Sequence, residues 1–258
     1  MHYFKKLYPI FTVIVLCLIW ELAVRFFKVP ILILPSPSDI YLNLVLRHEL
    51  FLTFSIPTLI EIFAGFFMAA TTGVMLGIMV SFSPFAKSSI YPLLISSQMV
   101  PKVAIAPVLT IWFGSGLMAK MFIAFLIAFF PITISTMVGL EAIDPEMVRM
   151  FRSMGSGPYR TFMKLRLPAA LPNIFAGLKI GMSLAVVGAV VAEFVAADRG
   201  LGYYLLYANG QLDSPGVFSA LVLLTLIGVT LYYAVEFAEY LLVPGVLHKE
   251  TDLTKASM

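Results

Sequence analysis

The sequence predicts an all-α polytopic membrane protein, with six transmembrane helices and a cytoplasmic loop of short helices between spans four and five. Three observations predict it. The 258 residues are 60% hydrophobic and 12% charged, with a mean hydropathy of +0.98, whereas a soluble domain carries about a quarter charged residues. Apolar stretches recur at the length of roughly 20 residues that a helical span needs, so no more than about seven fit once loops are counted. The longest polar stretch, Glu141 to Pro172, is basic, as cytoplasmic loops are. No separate soluble domain fits, so residues 1–258 read as one transmembrane domain.

Span one runs from about Tyr8 to Phe27. Lys5 and Lys6 precede it, but no small-residue cleavage site follows, so it reads as an uncleaved helix. Leu34-Pro-Ser-Pro-Ser38 stops it. Asp39 to Leu52 reads as a short amphipathic piece kept near water by Arg47, His48 and Glu49. Span two, Ser55 to Phe82, carries Gly65, Ala69, Gly73 and Gly77 at near four-residue spacing, a smooth stripe for close helix packing. Span three, Ser89 to Phe113, contains Pro92, Pro101 and Pro107 and is expected to be kinked or partly unwound. Span four, Met118 to Leu140, is interrupted by Pro131.

The basic loop follows. It carries Arg149, Arg152, Arg160, Lys164 and Arg166. Asp144-Pro145 reads as a helix start with Pro at the first helical position. Gly155-Ser-Gly-Pro158 breaks that helix, and a second short helix, about Tyr159 to Leu167, is expected to end at Pro168. Span five, Asn173 to Ala196, is rich in Gly and Ala. Asp198 to Pro215 reads as a polar outer loop, and span six, Gly216 to Leu242, precedes a polar tail.

Six spans place both termini on one side. Lys5, Lys6, Lys87, the loop cations, Lys249 and Lys255 then fall inside; Arg25, Lys28, Arg47, Lys120 and Arg199 fall outside. The excess inside puts both ends in the cytoplasm. The net charge of +3 does not indicate nucleic-acid binding. The single cysteine, Cys17, excludes an intrachain disulfide.

Ionisable groups inside spans are costly and mark functional candidates. Glu21, Glu236 and Glu239 lie near span ends, and Lys179 is placed to snorkel. Glu61, Lys102 and Glu193 are less easily set aside. Gln98, Pro101, Lys102, Trp112 and Glu193 form the candidate translocation path: polar groups beside a broken helix, with an aromatic wall. The competing explanation is hydrogen bonding between packed helices.

Catalytic patterns are missing. His2, His48 and His248 lie outside the spans, which leaves no intramembrane Ser/His pair, HExxH helix or Cys/His cluster. There is no GxxxxGK[ST] loop for ATP.

At the central loop the sequence resembles the integral-membrane permeases of bacterial ABC importers, whose signature is EAA, three residues, Gly, nine residues, then I-x-LP. Gly155 takes the glycine place and Leu165-Arg166-Leu167-Pro168 the I-x-LP place. Arg149-Met150-Phe151 stands where EAA is expected, and Asp144 or Glu146 remains for an acidic helix start. LPSPSDI, GFFMAATTGVMLGI, SQMVPKVAIAPVLTIWFGSG and FFPITIST are similar to one branch, which transports nitrate, aliphatic sulfonates, taurine, thiamine-precursor pyrimidines and riboflavin.

The resemblance implies a transport subunit that performs no chemistry and holds no cofactor. A second permease copy would pair with it in the bilayer. Two copies of an ATPase subunit would bind ATP and receive the loop through Asp144, Glu146, Arg149, Arg152, Gly155, Leu165, Leu167 and Pro168. An extracytoplasmic binding protein would deliver solute to the outer loops near Gly200-Leu-Gly202. The alternative from the residues alone is an ion-coupled secondary transporter using Glu61, Lys102 and Glu193. An intramembrane enzyme is disfavoured by the missing catalytic pairs.

Overall fold

A computed structural model of the protein describes residues 2–196 and 198–243, and every regular element among them is a helix. Lys249, Lys255, His248 and the polar tail lie outside the described residues. Helix α1 (His2–Phe26) is followed by α2 (Pro37–Leu46) and α3 (His48–Phe82). Next come α4 (Pro84–Gln98), α5 (Lys102–Phe113), α6 (Leu117–Glu141) and the short α7 (Pro145–Ser153). Then α8 (Pro158–Thr161) leads through a π-helical turn at Phe162–Arg166 into α9 (Leu167–Ala196), α10 (Leu201–Gly210) and α11 (Ser214–Leu242). Among the described residues, 4 helical stretches are long and apolar enough to cross a membrane: α3, α6, the Pro158–Val195 run and α11. The α4–α5 pair, bent by 95°, makes up to 5. Helix α1, whose Phe11, Ile14, Leu18 and Leu22 are exposed, has the length of a further span.

Several boundaries depart from expectation. The amphipathic piece at Asp39–Leu52 is split at Arg47. Its first part is α2, set by a capping box between Ser36 and Asp39 with Pro37 at the helix start; its second part is continuous with span two, with Pro57 inside the helix. The predicted kink in span three is a full break at Met99–Pro101. The predicted outer loop contains helix α10, which buries Leu201, Tyr204 and Ala208. Finally, the second loop helix does not stop at Pro168. The Leu167 N–H donates to the Phe162 carbonyl across the π turn, and this widened turn puts Pro168 in the first turn of α9, where a missing N–H costs little.

The described residues fold into two compact units. In the first, residues 1–58 and 197–226, the Glu21 carboxylate accepts from the Ser38 N–H at 3.0 Å and its hydroxyl at 2.8 Å, holding α1 to the start of α2. The Leu201 N–H donates to Thr58 Oγ1 at 2.8 Å. Arg47 donates to Asp213 and to the Tyr204 hydroxyl. The Asp213 carboxylate, then Tyr204, raise the Arg47 guanidinium above its ordinary pKa, against the opposing effect of burial.

The second unit, residues 59–196 and 227–258, holds the main apolar core, with Ile62, Phe66, Ala128, Ile132, Met182 and Ala189. Glycines set its helix directions. A Cβ at Gly65 would meet Ala124, at Gly73 Thr133, and at Gly77 Thr136, so α3 and α6 run parallel. A Cβ at Gly177 would meet Ser135, at Gly181 Ile132, and at Gly188 Ala124, so α9 runs antiparallel to α6. Small residues let these backbones approach closely.

Candidate functional site: the α7 loop and the broken helix

Helix α7 is closed at both ends. The Asp144 carboxylate accepts from the Glu146 N–H at 2.8 Å, Pro145 opens the helix, and Arg152 lies in its last turn, where a cation suits the helix dipole. At its end the Gly155 N–H donates to the Arg152 carbonyl at 3.0 Å and the Ser156 N–H to the Phe151 carbonyl at 3.1 Å. This pair of bonds is a Schellman motif. It requires φ +78° at Gly155, and a side chain there would meet no atom within 4 Å. Conformation, not space, therefore demands glycine at this position.

Only Val148 of α7 is buried. Its exposed surface carries Met147, Met150 and Met154, followed by Tyr159 and Met163. Met147, Met150 and Met154 are spaced i, i+3, i+7, so they share a face of the helix. The methionines were legible in the sequence, but the cations between them draw the eye first. Arg149 reaches only Glu146, at 3.4 Å, and both side chains are largely exposed.

Below α7 the loop is anchored. Thr161 and Leu165 are buried, Phe162 packs on Phe82 with ring centroids 5.1 Å apart, and Leu167 joins a cluster around Leu140, Ala170 and Ile174. Lys87 bonds Glu141 at 2.8 Å, tying the start of α4 to the end of α6. Asp144, Glu146, Arg149, Arg152, Gly155 and Pro168 are exposed, while Leu165 and Leu167 fasten the loop to the helices that follow.

The candidate path residues separate into groups. Gln98, Pro101 and Lys102 meet at the α4–α5 break, and Lys102 Nζ lies 5.0 Å from the Phe130 ring centroid. Trp112 sits in the last turn of α5, about 15 Å along the helix from Lys102, and is exposed. Glu193 is buried near the end of α9, beside Ala192, which packs with Ala106, Leu109 and Ile123.

Pairing changes the accounts of other charges. Lys120 is not an outer-loop cation: it is buried in α6 and bonds Glu61 at 2.9 Å, with side chains 6% and 3% exposed. Lys179 does not snorkel alone, because it bonds Glu239 at 2.8 Å. Each pair joins residues far apart in the chain, so neither is visible in local sequence. The described residues contain no cluster of His, Cys, Asp or Glu suited to a metal ion.

The chain is similar to known proteins. The family model described as "Binding-protein-dependent transport system inner membrane component" matches residues 69–248. The formylaminopyrimidine transport permease of Halalkalibacterium halodurans is 34% identical over 242 residues, covering 93% of this chain and 96% of the relative. The riboflavin transport system permease of Chloroflexus aurantiacus is 36% identical over 234 residues, covering 90% and 87%. The taurine permease of Escherichia coli is 29% identical over 187 residues, covering 72% and 68%. An inward-facing structure of the MetNI methionine ABC transporter superposes with TM-score 0.65 at 21% identity, covering 75% of this chain and 96% of that one, a likeness of fold. With a family match over residues 69–248 and a relative 34% identical across 93% of its length, the chain belongs to the binding-protein-dependent transport system inner membrane components, the permeases of ABC importers.

Proposed function

We propose that this chain forms the membrane path for a small solute, taken from an extracytoplasmic binding protein and moved by a separate ATPase. The solutes of its relatives are formylaminopyrimidine, riboflavin, aliphatic sulfonates and taurine. The observation that carries the reading is α7: a short, capped helix presenting Met147, Met150 and Met154 between two membrane-length helices. Exposed methionines adapt to a partner's groove, and the Schellman turn at Gly155 passes its movement on to Leu165 and Leu167. Asp144, Glu146, Arg149, Arg152 and Pro168 line the same loop. Two permease copies and two ATPase copies complete the transporter, which switches between outward and inward access as ATP biases a two-state element.

Parallel α3 and α6 support a six-span count. Two consecutive membrane-length helices pointing the same way need a return crossing between them, and α4–α5 is the only helical segment there. With α1 as the first span, both termini lie in the cytoplasm and the α7 loop faces the ATPase. Gln98, Pro101 and Lys102 then sit at the broken crossing, with Trp112 and Glu193 toward its outer end.

The test is purification of the tagged chain from its native membrane, followed by reconstitution. The expected result is a co-purifying ATPase subunit and uptake that needs ATP and the binding protein. Uptake from a proton or sodium gradient with no ATPase present would establish the ion-coupled alternative instead.

A further inference from the structure

Helix α2 is polar toward the protein and apolar away from it. On its inner side Ile40 is buried, and the Ser219 hydroxyl of α11 donates to Asn43 Oδ1 at 3.2 Å and lies 3.4 Å from the Ile40 carbonyl. On its outer side Tyr41, Leu42, Val45 and Leu46 are exposed, and their i, i+1, i+4, i+5 spacing puts them on one face. A helix lying between core and water has the opposite arrangement, apolar inward and polar outward.

The turn before α2 has the same character. Lys28 takes φ 50°, and the Val29 N–H donates to the Val24 carbonyl at 3.0 Å, which turns the chain back at the end of α1. Phe27, Leu32 and Ile33 are exposed, while the Ser214 hydroxyl donates to the Leu32 carbonyl. The backbone of this turn is therefore held by the protein while its side chains are left outside. Depth follows from Ser38, which bonds the Glu21 carboxylate. Glu21 lies more than a helical turn before Phe26, the last residue of α1, about 8 Å along the axis.

Three occupants could cover this face: lipid, a second copy of the chain, or a water-soluble protein. Continuity and charge favour lipid. Exposed Leu18 and Leu22 make the neighbouring surface of α1 apolar as well. No side chain from Tyr41 to Leu46 is charged. Arg47, His48 and Glu49, which the sequence suggested would keep the piece near water, come after Leu46 and leave the apolar face unbroken. A protein interface ends in a polar rim, whereas this surface runs on into that of a membrane-length helix.

With α1 as the first span, as proposed above, we infer that α2 and the turn before it form an interfacial anchor. Helix α2 lies in the leaflet where α1 ends, with its Tyr41–Leu46 face among phospholipid acyl chains. Such helices bury their apolar face about 5–10 Å into the boundary of headgroups and chains. Lys28, exposed at the turn, reaches the headgroup phosphates, as lysines at span ends do. The anchored face is then closed to a solute-binding protein arriving from water.

The test uses the full chain reconstituted in phosphatidylcholine vesicles. In a Cys17→Ser background, Leu18→Cys, Leu42→Cys and Leu46→Cys each carry a bimane fluorophore. All three side chains are exposed, so the variants should purify like the parent. Lipid bearing a nitroxide should quench positions 42 and 46, most strongly with the nitroxide high on the acyl chain, and position 18 most strongly with the nitroxide near the chain end. Aqueous iodide should quench none of them. Quenching of 42 and 46 by iodide and not by lipid overturns the inference, and lipid quenching kept at 18 would show that the first-span reading survives it. Protection of 42 and 46 from both quenchers means that protein covers the face, and overturns the inference equally. Iodide quenching at 18 would sink the first-span reading and the anchor with it.

Discussion

Glycine does opposite work in the α3–α6–α9 core and in the α7 loop. At Gly188 the backbone is ordinary and the space is gone: a Cβ would lie 2.6 Å from Ala124 Cα. At Gly155 the space is open and the backbone is unusual, with φ +78° and nothing within 4 Å. Charges divide in the same way. In the core, Glu61 and Lys120 are almost fully buried against each other; on α7, Glu146 and Arg149 are 81% and 73% exposed. The core is held by contact, so substitutions there should act on stability. The loop is held by its own backbone bonds and presents the rest of itself outward, so substitutions there should act on transport.

The largest expected effect breaks the core pair. Lys120→Met leaves the Glu61 carboxylate in the apolar interior without its cation, which costs about 3–5 kcal/mol. Denaturation of the purified protein in detergent should show that loss, and adding Glu61→Gln should recover much of it. If the single variant is as stable as the original protein, the buried pair does not hold α3 to α6. Next is Gly188→Ala. The methyl group meets backbone, which cannot rotate away, so α6 and α9 must separate, at about 1–3 kcal/mol. A change confined to transport rate would contradict the close approach.

Gly155→Ala should cost less stability, about 1 kcal/mol for forcing an alanine into the left-handed region, and should cost more in transport. The variant is expected to insert and purify normally while losing most ATP-driven uptake, because the Schellman turn sets the angle at which α7 meets the following helix. Asparagine tolerates this backbone better than alanine, so Gly155→Asn should keep more uptake. Equal uptake in all three proteins would show that the turn does not transmit movement.

These contrasts also explain what could be read in advance. Apolar runs marked the long helices, and the expected ends agree at Phe82 and Leu242, whereas the charges at His48 and Glu49 did not stop α3 from starting ahead of Ser55. The start of α7 was legible because Asp144-Pro145 is a local signal. Pro168 misled because a proline ends a helix only if no wider turn absorbs it, and the π turn at Phe162–Arg166 depends on how Phe162 and Leu165 pack. Asp198–Pro215 looked like a loop because its ends are polar, yet Leu201, Tyr204 and Ala208 find a buried face. The Glu61–Lys120 and Lys179–Glu239 pairs were hidden because helix direction and register decide them. For the candidate path, the sequence singled out Lys102 but not the ring beneath it, since Phe130 lies on another helix.

The smallest expected effect concerns Arg149, which stands where the family's pattern has an acidic residue. Its one bond, to Glu146, is long and exposed, and surface pairs of this kind contribute less than about 0.5 kcal/mol. Arg149→Ala should therefore leave stability unchanged. On the proposed docking of α7 to an ATPase, the variant separates two ways of seating the helix. If the helix is seated by its methionine face, Arg149→Ala keeps co-purification and uptake within about twofold, whereas Met150→Ala weakens both, as removal of a central apolar anchor does. If it is seated by charge, Arg149→Ala weakens both and does so less at high salt, where an exposed ionic contact is already screened. Exposure of Met147, Met150 and Met154 on one side of a helix with a single buried residue favours the first outcome. Charge at position 149 would then be free to differ from the family pattern, because the contact that matters lies one residue further along.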